Sequence, residues 1–232
     1  MYSKLSDRFG HRRWWPARTP LEVAVGAILT QNTAWRNVER AIANLRAARV
    51  LSVAGLRRVP LARLARLVRP SGYFNQKARK LKAFVAFLDR EHGGRFASMR
   101  RAEAAPLRAA LLGVHGIGPE TADSILLYAL EKPVFVVDTY TRRIVERHRV
   151  VPHGLSYEAI RAMFESRLPR DVALWNDYHA QLVAAGHHHC GPTPRCEGCP
   201  LESLLPTGGL ALTDAKRRTS RAASRAPRVR PR

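Results

Sequence analysis

Cysteine is scarce in this sequence of 232 residues: three occur, all within the stretch CGPTPRCEGC. Three clustered cysteines fit a metal site in a reducing compartment better than they fit a disulfide framework. Uninterrupted apolar runs of about eighteen residues are also absent, which excludes a membrane-spanning helix. The N-terminal stretch MYSKLSDRFGHRRWW lacks the apolar core of a secretory signal. We therefore expect a cytoplasmic protein without a membrane partner.

Acidic residues are few relative to basic ones. Eighteen Asp and Glu stand against 40 Lys and Arg, for a formal net charge of +22. Eight of the cations lie in the C-terminal stretch KRRTSRAASRAPRVRPR, which has the composition of a disordered tail, and without them the net charge is still +14. A charge of this size predicts a polyanionic partner, most simply DNA or RNA. The alternative is a GC-rich genome that places arginine at exposed positions.

Sustained alternation of polar and apolar residues is missing as well, so strands are not predicted. Apolar residues recur at helical spacing instead, and Thr19-Pro20-Leu21-Glu22 has the cap, the proline and the glutamate of a helix start. These patterns predict an all-α fold. After the helix that begins at Pro20, further helices are expected around residues 38–45, 61–68, 81–88, 102–112, 119–130, 138–148, 156–168 and 171–186.

The stretch LLGVHGIGPETAD is a candidate phosphate-binding turn, since Gly113, Gly116 and Gly118 precede a helix that begins at Pro119. Glycine permits positive φ and the close approach of another backbone, and the N–H groups of such a turn converge on an anion. Gly-Ile-Gly between two helices, with Ile117 at its centre, is typical of a helix-hairpin-helix motif that grips the DNA backbone without reading its sequence. A tight helix connection without DNA contact is the alternative for the turn alone.

The hairpin, the aspartate of VFVVDTYTRR, the stretch AILTQNT and the loop HCGPTPRCEGCPL together resemble the helix-hairpin-helix DNA glycosylases of the endonuclease III superfamily, up to about residue 206. RRWWPARTPLEVAVGAILTQNT, RPSGYFNQKARKLK and GIGPETADSIL are most similar to the endonuclease-III-like bacterial 3-methyladenine DNA glycosylases. The resemblance implies a two-lobed fold with DNA in the groove between the lobes. Residues 20–130 would form a six-helix barrel with the hairpin, residues 1–19 and 131–206 a helical lobe with the cysteine loop, and residues 207–232 the basic tail.

Asp138 is the candidate catalytic residue. Breaking an N-glycosidic bond builds positive charge on the sugar, and a carboxylate stabilises that charge and orients or deprotonates the attacking water. Capping the following helix is the structural alternative for Asp138.

Glu120 stands where bifunctional members of the superfamily carry a lysine that attacks C1′ and forms a Schiff base. The resemblance therefore implies a monofunctional glycosylase whose AP-lyase activity is weak or absent. Glu120 either lines the base pocket or complements the dipole of its helix. Lys132 is not expected to replace the missing amine.

Trp14, Trp15 and Trp35 are candidates for the base pocket. Adjacent aromatics before a proline can simply staple the entering chain. The resemblance implies instead that the WWP segment and Trp35 sandwich the flipped base. Indole faces attract a cationic methylated purine by about 0.5 to 2 kcal/mol each.

Four polar residues are expected to contact DNA. The resemblance implies that Gln31 fills the hole left by the flipped base, with Asn32 beside it. A satisfied turn is the alternative for this polar pair. Gln76 and Lys77 in YFNQKARK are candidates for phosphate contacts.

The cysteine loop has the spacing C-x5-C-x2-C, formed by Cys190, Cys196 and Cys199, which is near the C-x6-C-x2-C-x5-C spacing of the 4Fe-4S cluster in endonuclease III. Leu205 stands at the fourth ligand position, and the chain has no further cysteine. A histidine of residues 187–189 could complete an iron-sulfur cluster or a Cys3His zinc site. A 4Fe-4S cluster is the preferred interpretation, and zinc or no metal are the alternatives.

The predicted function is thus base excision repair by a monomeric glycosylase that acts on double-stranded DNA in the bacterial nucleoid, with an alkylated purine such as 3-methyladenine as its substrate. The alternatives are an endonuclease III-like glycosylase for oxidised pyrimidines or mismatched thymine, and a non-catalytic DNA-binding paralogue.

Overall fold

A computed structural model describes residues 1–12, 15 and 17–210 of the chain. In these residues the regular structure is helical and no strand occurs, so the predicted all-α class is confirmed. The α-helices are α1 (Tyr2–Phe9), α2 (Pro20–Leu29), α3 (Trp35–Ala47), α4 (Val53–Arg58), α5 (Leu61–Leu67), α6 (Phe74–His92), α7 (Phe96–Arg101), α8 (Ala104–Leu112), α9 (Pro119–Ser124), α10 (Thr139–Arg147), α11 (Tyr157–Arg167) and α12 (Val172–His188). Not one of the described helices is long and apolar enough to cross a bilayer.

Helix α2 begins as its sequence predicts. The Thr19 hydroxyl accepts a hydrogen bond from the backbone N–H of Glu22 at 3.2 Å, and Pro20 occupies the first helical position. Every residue of α2 after Pro20 is buried, so this helix runs through a core instead of lying on a surface. Glu22 tolerates burial because Arg46 pairs with its carboxylate at 2.5 Å.

The chain forms two compact units, and the larger comprises His11–Asp138 and Tyr157–Ala180. Within it α2 packs against α3, α6 and α9, and the apolar faces of α3 and α6 complete the core. This unit contains every described residue predicted for catalysis, the base pocket and the hairpin.

The last turn of the α9 region differs from the single helix predicted for residues 119–130. Residues Ile125–Ala129 form a π-helical segment, in which the Leu130 N–H bonds to the Ile125 carbonyl at 3.2 Å, five residues earlier. Such widened turns are rare and occur often at functional sites. Here the segment carries Tyr128.

The smaller unit comprises Met1–Gly10, Thr139–Ser156 and the chain from Gln181 onward. Gly186 in α12 leaves room for Tyr140 of α10, because a Cβ at Gly186 would lie 2.3 Å from the Tyr140 ring. Arg147 is buried and binds the cysteine loop.

The helices that were predicted from apolar spacing are confirmed, whereas α1, α4 and α7 were not anticipated. Each of these three has only six to eight residues and lacks a repeat such as the leucine at every third position of α5. The predicted lobe boundaries at residues 20, 130 and 206 remain predictions. Residues 207–210 of the expected tail are described, and its remainder lies outside the described residues, as does Trp14.

Candidate active site

Asp138 follows residues 134–137, a segment without regular secondary structure whose apolar side chains are all buried. Its own side chain is 13% exposed. Three titratable groups of the larger unit lie close enough for the Asp138 charge to shift their pKa values: Glu120, Tyr128 and His179. Residues that are distant in sequence thus converge on one carboxylate, which is the kind of cluster that marks functional sites.

Glu120 lies in the first turn of α9. Burial, and then the negative charge of Asp138, raise the pKa of Glu120 to about 7. The residue is nevertheless accessible to solvent. Near neutral pH this carboxyl group is present in both its protonated and its ionised form.

Trp15, Trp35 and Tyr128 form an aromatic cluster. The ring centroids of Trp15 and Trp35 lie 5.5 Å apart in an edge arrangement, and those of Trp15 and Tyr128 lie 4.9 Å apart. Gly26 of α2 lies against both indole rings, since a Cβ there would be 3.3 Å from Trp15 and 3.4 Å from Trp35. The structure therefore brings together Trp15 and Trp35, which sequence analysis placed in the base pocket.

Tyr128 and His179 were not predicted. The Tyr128 hydroxyl shares a short hydrogen bond with Nδ1 of His179, and His179 Nε2 lies 3.8 Å from Asp138 Oδ1. No sequence pattern indicated either residue: Tyr128 lies in the apolar run ILLYAL and His179 lies within a helix that is otherwise largely apolar. Only the fold reveals that residues 128, 138 and 179 meet.

The hairpin joins α8 to α9 through residues 113–118. Gly116 has φ of 79°, and a Cβ there would lie 2.4 Å from Lys80 Cγ, so both its conformation and its neighbour require glycine. Gly118 has φ of −95°, and no atom lies within 4 Å of the position its Cβ would take. Nothing in the fold thus requires glycine at residue 118. Ile117 is buried, so a DNA contact at this position would use its backbone.

Gln31 links the turn after α2 to the hairpin. Its Nε2 donates to the Gly116 carbonyl at 3.2 Å and to the Thr121 hydroxyl at 2.9 Å, and Lys80 Nζ donates to its Oε1. A side chain that fills a duplex would have to leave these bonds. Its neighbour Asn32 is exposed at the tip of the turn, with φ of 54°.

The phosphate contact predicted for Lys77 needs correction. Lys77 is 2% exposed, and its Nζ donates to the carbonyls of Leu29 and Ser71 at 2.9 Å and 2.5 Å. Burial lowers the pKa of this ammonium to about 8. Adjacent residues of a helix point in different directions, so Gln76 is exposed whereas Lys77, the next residue of α6, is buried. The sequence alone did not show which of the two faces the interior.

Lys132 donates to the carbonyls of Arg100, at 3.0 Å, and Ala102. Its ammonium group is therefore engaged in holding the end of α7.

The cysteine loop lies in the smaller unit. Arg147 donates to Cys190 Sγ at 3.2 Å and to the carbonyls of Gly191 and Pro192 at 2.8 Å and 2.9 Å. In the described part of the chain, no three Cys, His, Asp or Glu side chains are grouped so that they could hold a metal ion. Cys190, Cys196 and Cys199 alone do not supply the four ligands of a 4Fe-4S cluster.

Comparison with known proteins places this geometry in context. The model of the family described as HhH-GPD superfamily base excision DNA repair protein matches residues 25–170. A protein of Methanocaldococcus jannaschii that is provisionally named a DNA repair glycosylase is 42% identical over 205 residues, which are 88% of this chain and 93% of that protein.

Two solved structures show the same fold. The Helicobacter pylori 3-methyladenine DNA glycosylase bound to 1,N6-ethenoadenine is similar with 26% identity and a TM-score of 0.67, over 80% of this chain and 92% of that chain. Endonuclease III in a non-covalent DNA complex has 21% identity and a TM-score of 0.75, over 94% of this chain and 95% of that chain.

Proposed function

We propose that this chain, which belongs to the HhH-GPD superfamily of base excision DNA repair proteins, is a monofunctional DNA glycosylase that hydrolyses the N-glycosidic bond of a flipped alkylated purine. The observation that carries the proposal is the Asp138 carboxylate, 13% exposed beside an aromatic cluster, with a carboxyl group and no amine at residue 120.

Asp138 is proposed to act on the sugar. As the bond between C1′ and the base nitrogen breaks, its electron pair leaves with the base and positive charge develops on the sugar ring. The carboxylate stabilises that charge, and it accepts a proton from the water whose oxygen bonds to C1′. Hydrolysis leaves an abasic site and the free base.

Glu120 supports a reaction that ends at the abasic site. A carboxyl group cannot form the imine through which an amine nucleophile leads to strand cleavage. Its pKa of about 7 gives it a proton to share near neutral pH, so it is suited to hydrogen-bond a base in the pocket.

The aromatic cluster supports a cationic substrate. Trp15, Trp35 and Tyr128 offer ring faces, and an indole face attracts a cation by about 0.5 to 2 kcal/mol. A methylated purine with a positive charge is also a good leaving group, so it needs stacking and a carboxylate more than it needs a general acid. The relative from H. pylori acts on 3-methyladenine according to its name, which favours the same substrate class here.

DNA contact is proposed for the hairpin backbone at Gly113, Gly116, Ile117 and Gly118, and for Asn32 and Gln76. Gln31 would act by leaving its bonds to the hairpin when a base is flipped. The protein is proposed to act as a monomer on double-stranded DNA at the nucleoid, with the +22 charge supplying affinity that does not depend on sequence.

The cysteine loop takes no part in the proposed chemistry. A 4Fe-4S cluster, which the likeness to endonuclease III implies, would find three thiolates in Cys190, Cys196 and Cys199 and a leucine where its fourth ligand is expected. Iron, sulfide and zinc analysis of the purified protein, with its absorbance near 400 nm, decides which group the loop holds.

A lesion panel tests the proposal. Duplexes that contain 1,N6-ethenoadenine, thymine glycol, thymine opposite guanine or uracil opposite guanine are incubated with the protein, beside DNA treated with methyl methanesulfonate, and products are compared with and without alkali. We expect release of methylated purines and strand breaks only after alkali. Breaks without alkali would contradict the monofunctional assignment, and release of pyrimidines alone would contradict the substrate class.

A further inference from the structure

His179 is a buried histidine, and one of its two ring nitrogens makes no hydrogen bond within the described residues. The residue is 4% exposed, and that nitrogen is its Nε2. A buried polar atom without a partner costs about 1–3 kcal/mol, so such atoms call for an explanation. The nearest charged atom to this nitrogen that forms an ion-pair contact is Asp138 Oδ1, at 3.8 Å.

The other ring nitrogen determines the tautomer. Burial and the Asp138 charge raise the pKa of Tyr128 well above its ordinary value, so the Tyr128 hydroxyl keeps its proton. Burial also lowers the pKa of His179, which keeps the ring neutral. A neutral ring carries one proton. Placed on Nε2, it faces a carboxylate and leaves Nδ1 to accept from Tyr128; placed on Nδ1, it would leave a lone pair facing that carboxylate. Electrostatics therefore selects the Nε2–H tautomer.

We propose that His179 is a positioning residue for the glycosylase reaction: its Nε2–H, directed by the Tyr128 hydroxyl, faces the Asp138 carboxylate and holds it oriented toward the sugar. The inference rests on the proposed function. The separation of 3.8 Å is longer than a hydrogen bond, and bonds of this kind commonly tighten when substrate closes the site.

Three titratable groups interact with the Asp138 carboxylate. Glu120 of α9 repels the carboxylate when it is ionised, while Tyr128 and His179 present neutral groups. Among these three groups, His179 presents the N–H that would fix the orientation of the Asp138 carboxylate, at 3.8 Å from its Oδ1.

Three variants test the inference: His179→Ala, His179→Gln and Tyr128→Phe. Their single-turnover rates are measured on the lesion duplex from which the wild type releases the base fastest. Binding is measured separately on a duplex with a tetrahydrofuran abasic-site analogue. His179→Ala should lose about 10- to 100-fold in rate while its affinity stays within about threefold. His179→Gln can place an amide N–H near Nε2 and should recover most of the loss.

Rescue and a matched control separate positioning from a packing defect. A positioning role predicts that the rate falls while affinity stays constant, and that His179→Gln restores the rate. Tyr128→Phe keeps the ring that packs on Trp15 and should lose about 3- to 10-fold. The control is Tyr178→Phe on the same helix, whose ring packs on Phe135 and Phe164 and which should retain the wild-type rate.

The outcomes distinguish this inference from the proposed function. Should His179→Ala not fold, Tyr128→Phe decides by its rate relative to Tyr178→Phe. Wild-type rates in all folded variants, beside an inactive Asp138→Asn, would overturn the role of His179 and leave the glycosylase proposal intact. An active Asp138→Asn would overturn both.

Discussion

Glu120 and Asp138 are two carboxyl groups that cannot both be ionised at low cost. Burial and the charge of Asp138 raise the pKa of Glu120 from 4.5 to about 7, so the folded protein holds a proton there that an unfolded chain releases. Between these two pH values the folded state binds more protons than the unfolded state. Stability should therefore fall as the pH rises through this window.

Glu120→Gln should remove this penalty. The amide has the size of the carboxyl group and never ionises, so we expect the melting temperature to rise relative to wild type at pH 8 and to change little at pH 5. Because Glu120 is partly exposed and its charge is screened, we expect about 1 kcal/mol at most, or about 2–4 °C. Thermal unfolding at the two pH values measures it.

The matched control is Glu91→Gln, which removes an exposed carboxylate that pairs with Arg90 at the surface. Its effect on the melting temperature should be the same at pH 5 and pH 8. A Glu120→Gln effect that is equally independent of pH would show that Glu120 does not carry the raised pKa.

Some residues of the candidate site could be proposed from the sequence, and others could not, for a definite reason. Asp138, Glu120, Trp15 and Trp35 belong to short motifs, and a motif is read from consecutive letters. His179 meets Tyr128 and Asp138 only through the packing of α12, and no local pattern reports such a contact.

Helix α2 makes room for the aromatic cluster because it carries glycine, and therefore no side chain, at residue 26. Gly26 lies in a buried helix where alanine would be the better helix former by about 1 kcal/mol, yet a Cβ there would press on the two indole rings at 3.3 and 3.4 Å. Glycine at this position thus favours the aromatic cluster over the stability of the helix.

Gly26→Ala should separate those two roles. We expect a melting temperature within a few degrees of wild type, because helix propensity offsets the crowding. The rings must shift by a few tenths of an ångström, and base excision should fall by about tenfold. Affinity for undamaged duplex is the internal control and should not change. Full excision activity in a folded Gly26→Ala variant would argue against Trp15 and Trp35 as the walls of the base pocket.

The hairpin makes a different prediction for each of two glycines. Gly118→Ala meets no protein atom within 4 Å and needs no unusual backbone, so the variant should keep the wild-type melting temperature. Its affinity for duplex DNA should still fall, because the added methyl group would stand between the hairpin and an approaching phosphate. Fluorescence anisotropy with undamaged DNA measures the loss.

Gly116→Ala is the paired variant, and it should lose both stability and affinity, since its φ of 79° and Lys80 both oppose a side chain. Unchanged DNA affinity of Gly118→Ala would mean that the turn is a helix connection and no more.

Helices were predictable where apolar residues repeat over two turns or more, as in α2, α3, α6 and α12. The π-helical segment was not, because ILLYAL has the pattern of an ordinary helix end and a shift in backbone hydrogen bonding depends on packing. Lys77 illustrates the same limit. The apolar period predicts the helix, but whether this lysine is buried depends on the carbonyls of Leu29 and Ser71, which the fold brings to it.

For the whole molecule, net charge makes the broadest prediction. Removal of residues 216–232 deletes eight cations and lowers the formal charge from +22 to +14. Affinity for undamaged duplex should fall, and the slope of log affinity against log salt should become shallower by about 0.9 for each phosphate that the tail had neutralised. Titrations at several salt concentrations measure it. An unchanged slope would assign all DNA binding to the body of the protein.

The proposed glycosylase activity depends on the Asp138 carboxylate, and the variant Asp138→Asn tests this role directly. Wild type and variant are compared in single-turnover excision from a methylated-purine substrate, with affinity for the same lesion DNA measured in parallel. We predict that the variant binds within about threefold of wild type and releases base at least about 100-fold more slowly. Base release by Asp138→Asn at the wild-type rate would contradict the account.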